Sequence, residues 1–353
     1  MFGISVYLNE EINEKQQAYI EQAQKHGFKW VFTSLHIPED DSSKLRSRFK
    51  QLAHMAKQAG MDLIADVSPA SLQLIETSID QVEELLDWGV TGLRVDYGID
   101  SGQIALLSTK MKVALNASTL TNGEWQEILQ AGADISNIEA WHNFYPRPET
   151  GLDDQYIKKK NEWLCSLGLT TMAFVAGDSD KRGPMFKGLP TLEKHRSKPP
   201  FASALELTRQ LNTKKVLIGD PHLSEEAFQQ FKWFGQEGCI PLRADPFTDV
   251  SLYQSIQTNR LDPARDCIRS VESRRFAQVG GGTLEPFQTT ARQRGSITVD
   301  NKQYLRYAGE MQIVLNPLSA DEKVNVIGKV VDEDLDILSF IDAGQKFIII
   351  WNE

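Results

Sequence analysis

Cysteine is scarce: Cys165, Cys239 and Cys267 are the only three in 353 residues. Their number is odd and their spacings are wide, with no CxxC and no Cys/His pattern, which argues against a disulfide framework and a structural zinc. Histidine is sparse as well, and no HxH or HExxH spacing occurs, so neither a metal nor another cofactor is expected. No apolar run approaches about 18 residues, so no membrane span is expected. The opening MFGISVYLNEEINEK has no basic segment and turns acidic at once, unlike a secretory leader. Positive charge is in deficit, 38 Lys and Arg against 48 Asp and Glu, for a net charge of −10. An acidic chain makes a poor general binder of nucleic acid or anionic membrane. The expectation is a cytoplasmic protein in reducing surroundings, with no nucleic-acid or membrane partner, whose anionic substrate would meet a local basic cluster. A GxGxxG or GxxxxGK[ST] turn after the first strand is missing too, which disfavours a nucleotide-binding doubly wound sheet.

With 41% hydrophobic and 24% charged residues the chain can bury a large core, so disorder is excluded. Short runs rich in β-branched and aromatic residues recur at 2–8, 30–37, 62–68, 92–98, 112–118, 135–142, 170–176 and 215–220. Amphipathic stretches separate them, at 13–26, 43–59, 71–88, 101–110, 122–130, 153–167, 203–211 and 224–234. In the second of these Leu45, Phe49, Leu52 and Met55 recur at helical spacing. Gly27, Gly60, Gly89, Gly132 and Gly168 each fall between a helix and a strand, as left-handed C-caps do. Thr121, Ser203 and Ser224 read as N-caps. Eight strand–helix units within residues 1–240 predict a (β/α)8 TIM barrel, whose usual size is about 250 residues. After residue 240 the texture turns β-rich. Residues 241–264 read as a linker and 265–353 as a small β domain, with strands at 283–287, 296–299, 312–315, 324–331 and 347–351 and a short helix or turn at 334–341. Gly280, Gly281 and Gly282 read as a flexible loop.

Active sites of such barrels lie at the C-terminal strand ends, and polar residues gather there. Asp96 shares parity with Arg94, so both face the interior. It reads either as a nucleophile or base, or as half of an ion pair. Glu139 stands beside Trp141 and His142; an indole neighbour would raise a carboxyl pKa and suit a general acid. Asp66 and Asp220 are further candidates, although each sits near a proline and could simply cap a turn. His36, His142 and Asn116 fall at strand ends, as substrate-hydrogen-bonding groups. Two loops stand out. The sixth runs through His142, Asn143, Phe144, Tyr145, Pro146 and Arg147. The seventh, at 177–200, carries Arg182, Lys187, His195 and Arg196 among glycines. In an acidic chain this concentration of Arg147, Arg182, Lys187, His195 and Arg196 suits a phosphate or carboxylate. Loops longer than about 15 residues are uncommon unless functional or disordered.

The series YLNE, TSLHIPED, LIADVSP, LRVDYG, NAST, WHNFYPRPETGL and RGPMFKGLPTLEKHR resembles the bacterial 6-phospho-N-acetylmuramidase family over nearly the whole chain. WHNFYPRPETGL and RGPMFKGLPTLE are its specific parts. The resemblance implies a TIM barrel followed by a cyclophilin-like domain. It also implies intracellular hydrolysis of the β-1,4 bond in MurNAc 6-phosphate–GlcNAc, a phosphorylated amino-sugar disaccharide, during cell-wall (peptidoglycan) recycling. Glycoside hydrolysis commonly uses two carboxyl groups. The expectation is therefore Glu139 as general acid and Asp96 as nucleophile or base, with Arg147, Arg182 and Lys187 on the phosphate. Asn143 and Tyr145 would contact the sugar. Retention, inversion and assistance by the N-acetyl group stay open. So do a sugar-phosphate isomerase or epimerase, a non-catalytic sugar-phosphate-binding protein, and a tail that covers the mouth or forms a homo-oligomer contact.

Overall fold

Eight parallel strands alternate with helices and close on themselves. The structure, a computed structural model, describes residues 1–36, 42–273 and 284–352. The barrel strands are β1 (Phe2–Ser5), β2 (Trp30–Ser34), β3 (Asp62–Val67), β4 (Val90–Val95), β5 (Lys112–Asn116), β6 (Ile138–Trp141), β7 (Thr170–Val175) and β8 (Lys215–Ile218). Closure is direct: Gly3 of β1 registers with Trp30 on one side and Leu217 of β8 on the other. The helices are α1 (Glu14–Lys25), α2 (Ser42–Gln58), α3 (Pro69–Leu74), α4 (Val82–Trp88), α5 (Ser101–Ser108), α6 (Asn122–Gln130), α7 (Asp154–Ser166), α8 (Pro200–Gln210) and α9 (Glu225–Glu237). The (β/α)8 expectation holds.

Inward-facing side chains fill the barrel in layers. Phe32, Ile64, Ala114, Trp141, Met172, Phe174 and Leu217 form its buried middle. Below them Lys215 lies 2.7 Å from Glu139 and 4.2 Å from the centre of the Trp30 ring, plugging the foot of the barrel. The helix ends follow the local chemistry of their residues. Gly89 ends α4 at φ +111, and a Cβ there would lie 3.0 Å from the Ala53 carbonyl. Thr121 caps α6 in a reciprocal box with Glu124, and Ser224 accepts the Ala227 amide.

Two local expectations change in the barrel. Residues 71–88 do not form one helix. Glu76 takes φ +54, and α3, a 3₁₀ turn (Ile79–Gln81) and α4 replace it; the apolar spacing runs on across a break that only the backbone reveals. Ser203 is no N-cap, because α8 starts at Pro200 and buries it. Proline has no N–H to lose at the first helical turn, so the helix begins there.

The chain divides into two compact units, Met1–Phe231 and Lys232–Glu353. The second carries a seven-stranded sheet of β9 (Cys239–Pro246), β10 (Gln257–Thr258), β11 (Cys267–Arg269), β12 (Ser296–Asp300), β13 (Met311–Val314), β14 (Val324–Val330) and β15 (Lys346–Trp351). The order is β10-β15-β9-β14-β12-β13-β11. Residues 241–264, read as a linker, therefore contribute β10 and most of β9. β9 lies in the interior of the sheet, parallel to β15 and antiparallel to β14. Residues 284–287 are irregular rather than a strand. Residues 334–341 fall largely in a 3₁₀ segment, Asp332–Phe340. Gly280–Gly282 and Thr283 lie outside the described residues. Among the described residues no helix is long and apolar enough to cross a membrane.

Candidate active site

A cavity of ≈ 610 Å³ opens at the C-terminal mouth of the barrel. Its floor is aromatic: Phe32, Phe144 and Phe174 meet edge to face, with centroids 5.1 to 6.3 Å apart. Ser34, His36, Asp66, Arg94, Asp96 and Asn143 form one wall, and Asn9, Arg147, Arg182, Gly183, Pro184 and Met185 close the other. The strand alternation explains the first wall. Phe32 and Ser34, Ile64 and Asp66, Gly92 and Arg94 are successive inward positions on three neighbouring strands, and Ser34 registers with Asp66 and Asp66 with Arg94.

Arg94 is the hub. It is buried, at 3% exposure, and one terminal nitrogen lies 2.6 Å from Asp66 Oδ1 and 3.8 Å from Asp96 Oδ1. Its other terminal nitrogen donates to Asn143 Oδ1. A guanidinium only donates, so Asn143 must turn its oxygen inward, and its NH2 is the end left for the cavity. Asp66 also accepts from Ser34 Oγ at 3.3 Å. Asp96 Oδ1 accepts from Asn116 Nδ2 at 2.9 Å, and its second oxygen has no partner among the described residues. The side chain of Asp96 is 30% exposed against 14% for Asp66. The two carboxylates are thus unequal: one is clamped by a cation, the other half-open. His36 stacks on the exposed Tyr97 at 5.6 Å between centroids.

Loops six and seven are tied down from beneath. Asp220, fully buried, accepts the amides of Gly177 (2.9 Å), Leu189 (3.1 Å) and Arg182 (3.1 Å). Loop seven presses so close to the end of β8 that a Cβ on Gly219 would lie 2.1 Å from the Leu189 carbonyl. Arg196 staples the two loops, donating to the carbonyls of Tyr145 and Gly188 and pairing with Glu193. That cation holds the Glu193 carboxyl down to about 2. His195 is buried against Glu206 at 3.0 Å.

Of the residues singled out from sequence, the structure gathers His36, Asp66, Asp96, Asn143, Arg147 and Arg182 around the cavity. Asn116 stands behind Asp96 and orients it. Glu139 lies elsewhere. It faces the interior at the second position of β6 rather than at the strand end, and there it pairs with Lys215 and accepts from Trp141 Nε1 at 2.8 Å. The inward position of that chain segment that reaches the mouth is Asn143, two alternations further on. His142 is fully buried between Ser118 Oγ (3.0 Å) and Asn161 Oδ1 (2.9 Å), outside the cavity wall, and burial drops its pKa to about 4. Tyr145 and the exposed Lys187 are likewise not on the wall. Asp220 binds backbone rather than facing the cavity, and Asp178 caps the start of α9 through Ser224. The residue that sequence reasoning undervalued is Arg94. Its parity with Asp96 was legible; its contact with Asn143 was not. Among the described residues no group of three His, Cys, Asp or Glu is arranged to hold a metal ion.

Comparison with other proteins agrees with this architecture. No curated protein matches the chain. A crystal structure of a conserved Enterococcus faecalis protein of unknown function superposes with a TM-score of 0.90 at 43% identity, covering 100% of this chain and 96% of that one. A crystal structure of an uncharacterised B. cereus protein superposes with a TM-score of 0.78 at 28% identity, covering 99% of each. The 6-phospho-N-acetylmuramidase N-terminal domain matches residues 2–233, and its C-terminal domain matches residues 243–350. With the barrel, the mouth cavity and both matched regions in place, the chain belongs to the 6-phospho-N-acetylmuramidase family.

Proposed function

We propose that the protein is a cytoplasmic glycoside hydrolase that cleaves MurNAc 6-phosphate-β-1,4-GlcNAc to MurNAc 6-phosphate and GlcNAc in peptidoglycan recycling. The observation that carries the reading is the pair of unequal carboxylates, Asp66 and Asp96, sharing one arginine nitrogen over an aromatic floor. Family membership supplies the substrate class.

Hydrolysis of a glycosidic bond needs a proton for the leaving oxygen and a carboxylate to stabilise the developing oxocarbenium ion or activate water. Asp96 has a free oxygen in the cavity and is the group assigned to proton transfer. Asp66, clamped by Arg94, is the fixed negative charge. Glu139 is dropped from the pair, because at the foot of the barrel it has no route to a substrate at the mouth. The Asn143 NH2 suits an acceptor oxygen of the sugar or its acetamido group, and Phe32, Phe144 and Phe174 suit an apolar sugar face. Arg147 and Arg182 are the wall cations available to an anionic substituent.

The test is release of GlcNAc from MurNAc–GlcNAc with and without the 6-phosphate, by purified protein in EDTA. Release from the phosphorylated disaccharide alone is the expected outcome. Binding of both sugars without release from either would overturn the hydrolase reading in favour of a sugar-phosphate sensor or isomerase. Solvent deuterium in the recovered sugar would identify the isomerase.

A further inference from the structure

Beside the mouth cavity lies a second chamber of ≈ 670 Å³, between the ends of β1 and β8, the start of α1 and loop seven. The two share Asn9, Arg182 and Gly183. Arg182 is the partition: its guanidinium sits 3.7 Å from the centre of the Tyr7 ring, and the Tyr7 hydroxyl is spent on the Gly219 carbonyl.

The polar groups free on the wall of this chamber are mostly donors. Lys15 is exposed in the first turn of α1, and its ammonium has no partner among the described residues. Gln16 uses its side-chain oxygen to accept the Asn13 amide at 3.1 Å, so its NH2 is the end left for the chamber. Lys181 donates one proton to the Gly177 carbonyl and lies 4.0 Å from the buried Asp220 carboxylate; that carboxylate already accepts three backbone amides, which leaves the ammonium donors for a ligand. The Arg182 guanidinium has no carboxylate partner among the described residues. Of the acidic residues, Asp180 is 82% exposed and already lies 3.4 Å from His222 Nδ1; Glu10 is also exposed.

We propose that this chamber is a phosphate-monoester subsite, in which Lys15, Gln16, Lys181 and Arg182 hold the phosphate of a sugar whose ring lies in the first cavity. The proposal rests on the sugar-phosphate reading above and moves the phosphate off Arg147. A phosphate dianion offers only acceptors and is met best by cationic donors. The first cavity is a poorer host, since Asp66 and Asp96 already place two carboxylates on its wall and Arg94 is committed to them. In the second chamber a dianion is separated from that pair by the Arg182 cation. The positive end of the α1 macrodipole adds to the field. The loops after strands seven and eight are also a frequent phosphate site in (β/α)8 barrels.

The test compares wild type, the Lys15→Ala/Lys181→Ala double variant, the Lys15→Arg/Lys181→Arg double variant and Arg147→Ala. One readout is cleavage of MurNAc–GlcNAc with and without the 6-phosphate. The other is calorimetric titration with MurNAc 6-phosphate and with MurNAc. The alanine pair is expected to raise KM for the phosphorylated disaccharide about 10-fold or more, with a smaller change in kcat, and to weaken MurNAc 6-phosphate binding to match. The arginine pair is expected to restore most of both. Selectivity that survives the alanine pair but collapses in Arg147→Ala overturns the subsite and leaves the hydrolase reading intact. If wild type cleaves neither disaccharide, that reading fails and the titration alone decides. Lysine-dependent binding of the 6-phosphate then supports the chamber, and undiminished or absent binding overturns it.

Discussion

Glu139 is pinned between Lys215 and Trp141, whereas Asp96 keeps one oxygen open to the cavity. The same residue type therefore predicts opposite phenotypes. Glu139→Ala strands the buried Lys215 ammonium, and breaking a buried pair from one side costs about 3–5 kcal/mol. Its thermal midpoint is expected to fall sharply while kcat of the folded fraction stays within a few-fold. Asp96→Asn is expected to do the reverse: kcat lower by about 10²–10⁴ with the midpoint nearly unchanged. Parallel melting curves and single-turnover rates check the contrast; a large kcat loss in Glu139→Ala at full folding would restore it to the site. Strand parity was readable from alternation, which is why Arg94 and Asp96 were placed facing inward. Height along the barrel axis was not, because it depends on the register of each strand against its neighbours.

Loop seven is an element held from within by two side chains, Asp220 and Arg196. Asp220 accepts three backbone amides, and the Gly177 and Leu189 amides beneath it are buried. Asp220→Ala leaves those donors without a partner, at a cost of about 2–4 kcal/mol. The expected result is a lower urea midpoint and faster proteolysis between Gly177 and Pro200 than elsewhere in the barrel. Equal protection of that loop in the variant would show that Arg196 and Glu193 hold it unaided. The length and basic character of the loop were legible in sequence, and they pointed to function. What escaped was that two of its basic residues look inward: Arg196 bonds carbonyls and His195 bonds Glu206. A one-dimensional charge run cannot distinguish a ligand-facing cation from a staple.

At the level of the whole molecule, each unit carries its own buried core, and the second has a titration of its own. Asp300 is buried near Glu310 and Asp321, which with desolvation push its carboxyl up to about 7 from an unfolded value of 3.8. Between those values the folded unit binds more protons than the unfolded chain, so this group's contribution to stability declines as pH rises through the window. Arg292 and Arg269 offset it only in part. Asp300→Asn is therefore expected to stabilise the protein by about 1–3 kcal/mol at pH 8. The gain should shrink on acidification and vanish near pH 4. Urea midpoints of the two proteins at several pH values check it, and a gain independent of pH would assign the effect to packing instead.

The barrel was determined by local chemistry that a sequence displays directly: strand-length apolar runs, helical spacing, and glycines at helix ends that took positive φ at Gly27, Gly60, Gly89, Gly132 and Gly168. The two matched loop motifs and the polar strand ends located the mouth in the same way. Tertiary structure alone decided which carboxylates meet there. Arg94 joins Asp66, Asp96 and Asn143 across two neighbouring strands and the segments that follow β4 and β6, contacts with Asp66 and Asn143 being set by barrel register and closure rather than by spacing along the chain. It likewise decided that residues 239–246 are an interior strand of the second sheet, because β9 becomes a strand only when β14 and β15, some eighty or more residues later in the chain, supply its hydrogen-bond partners.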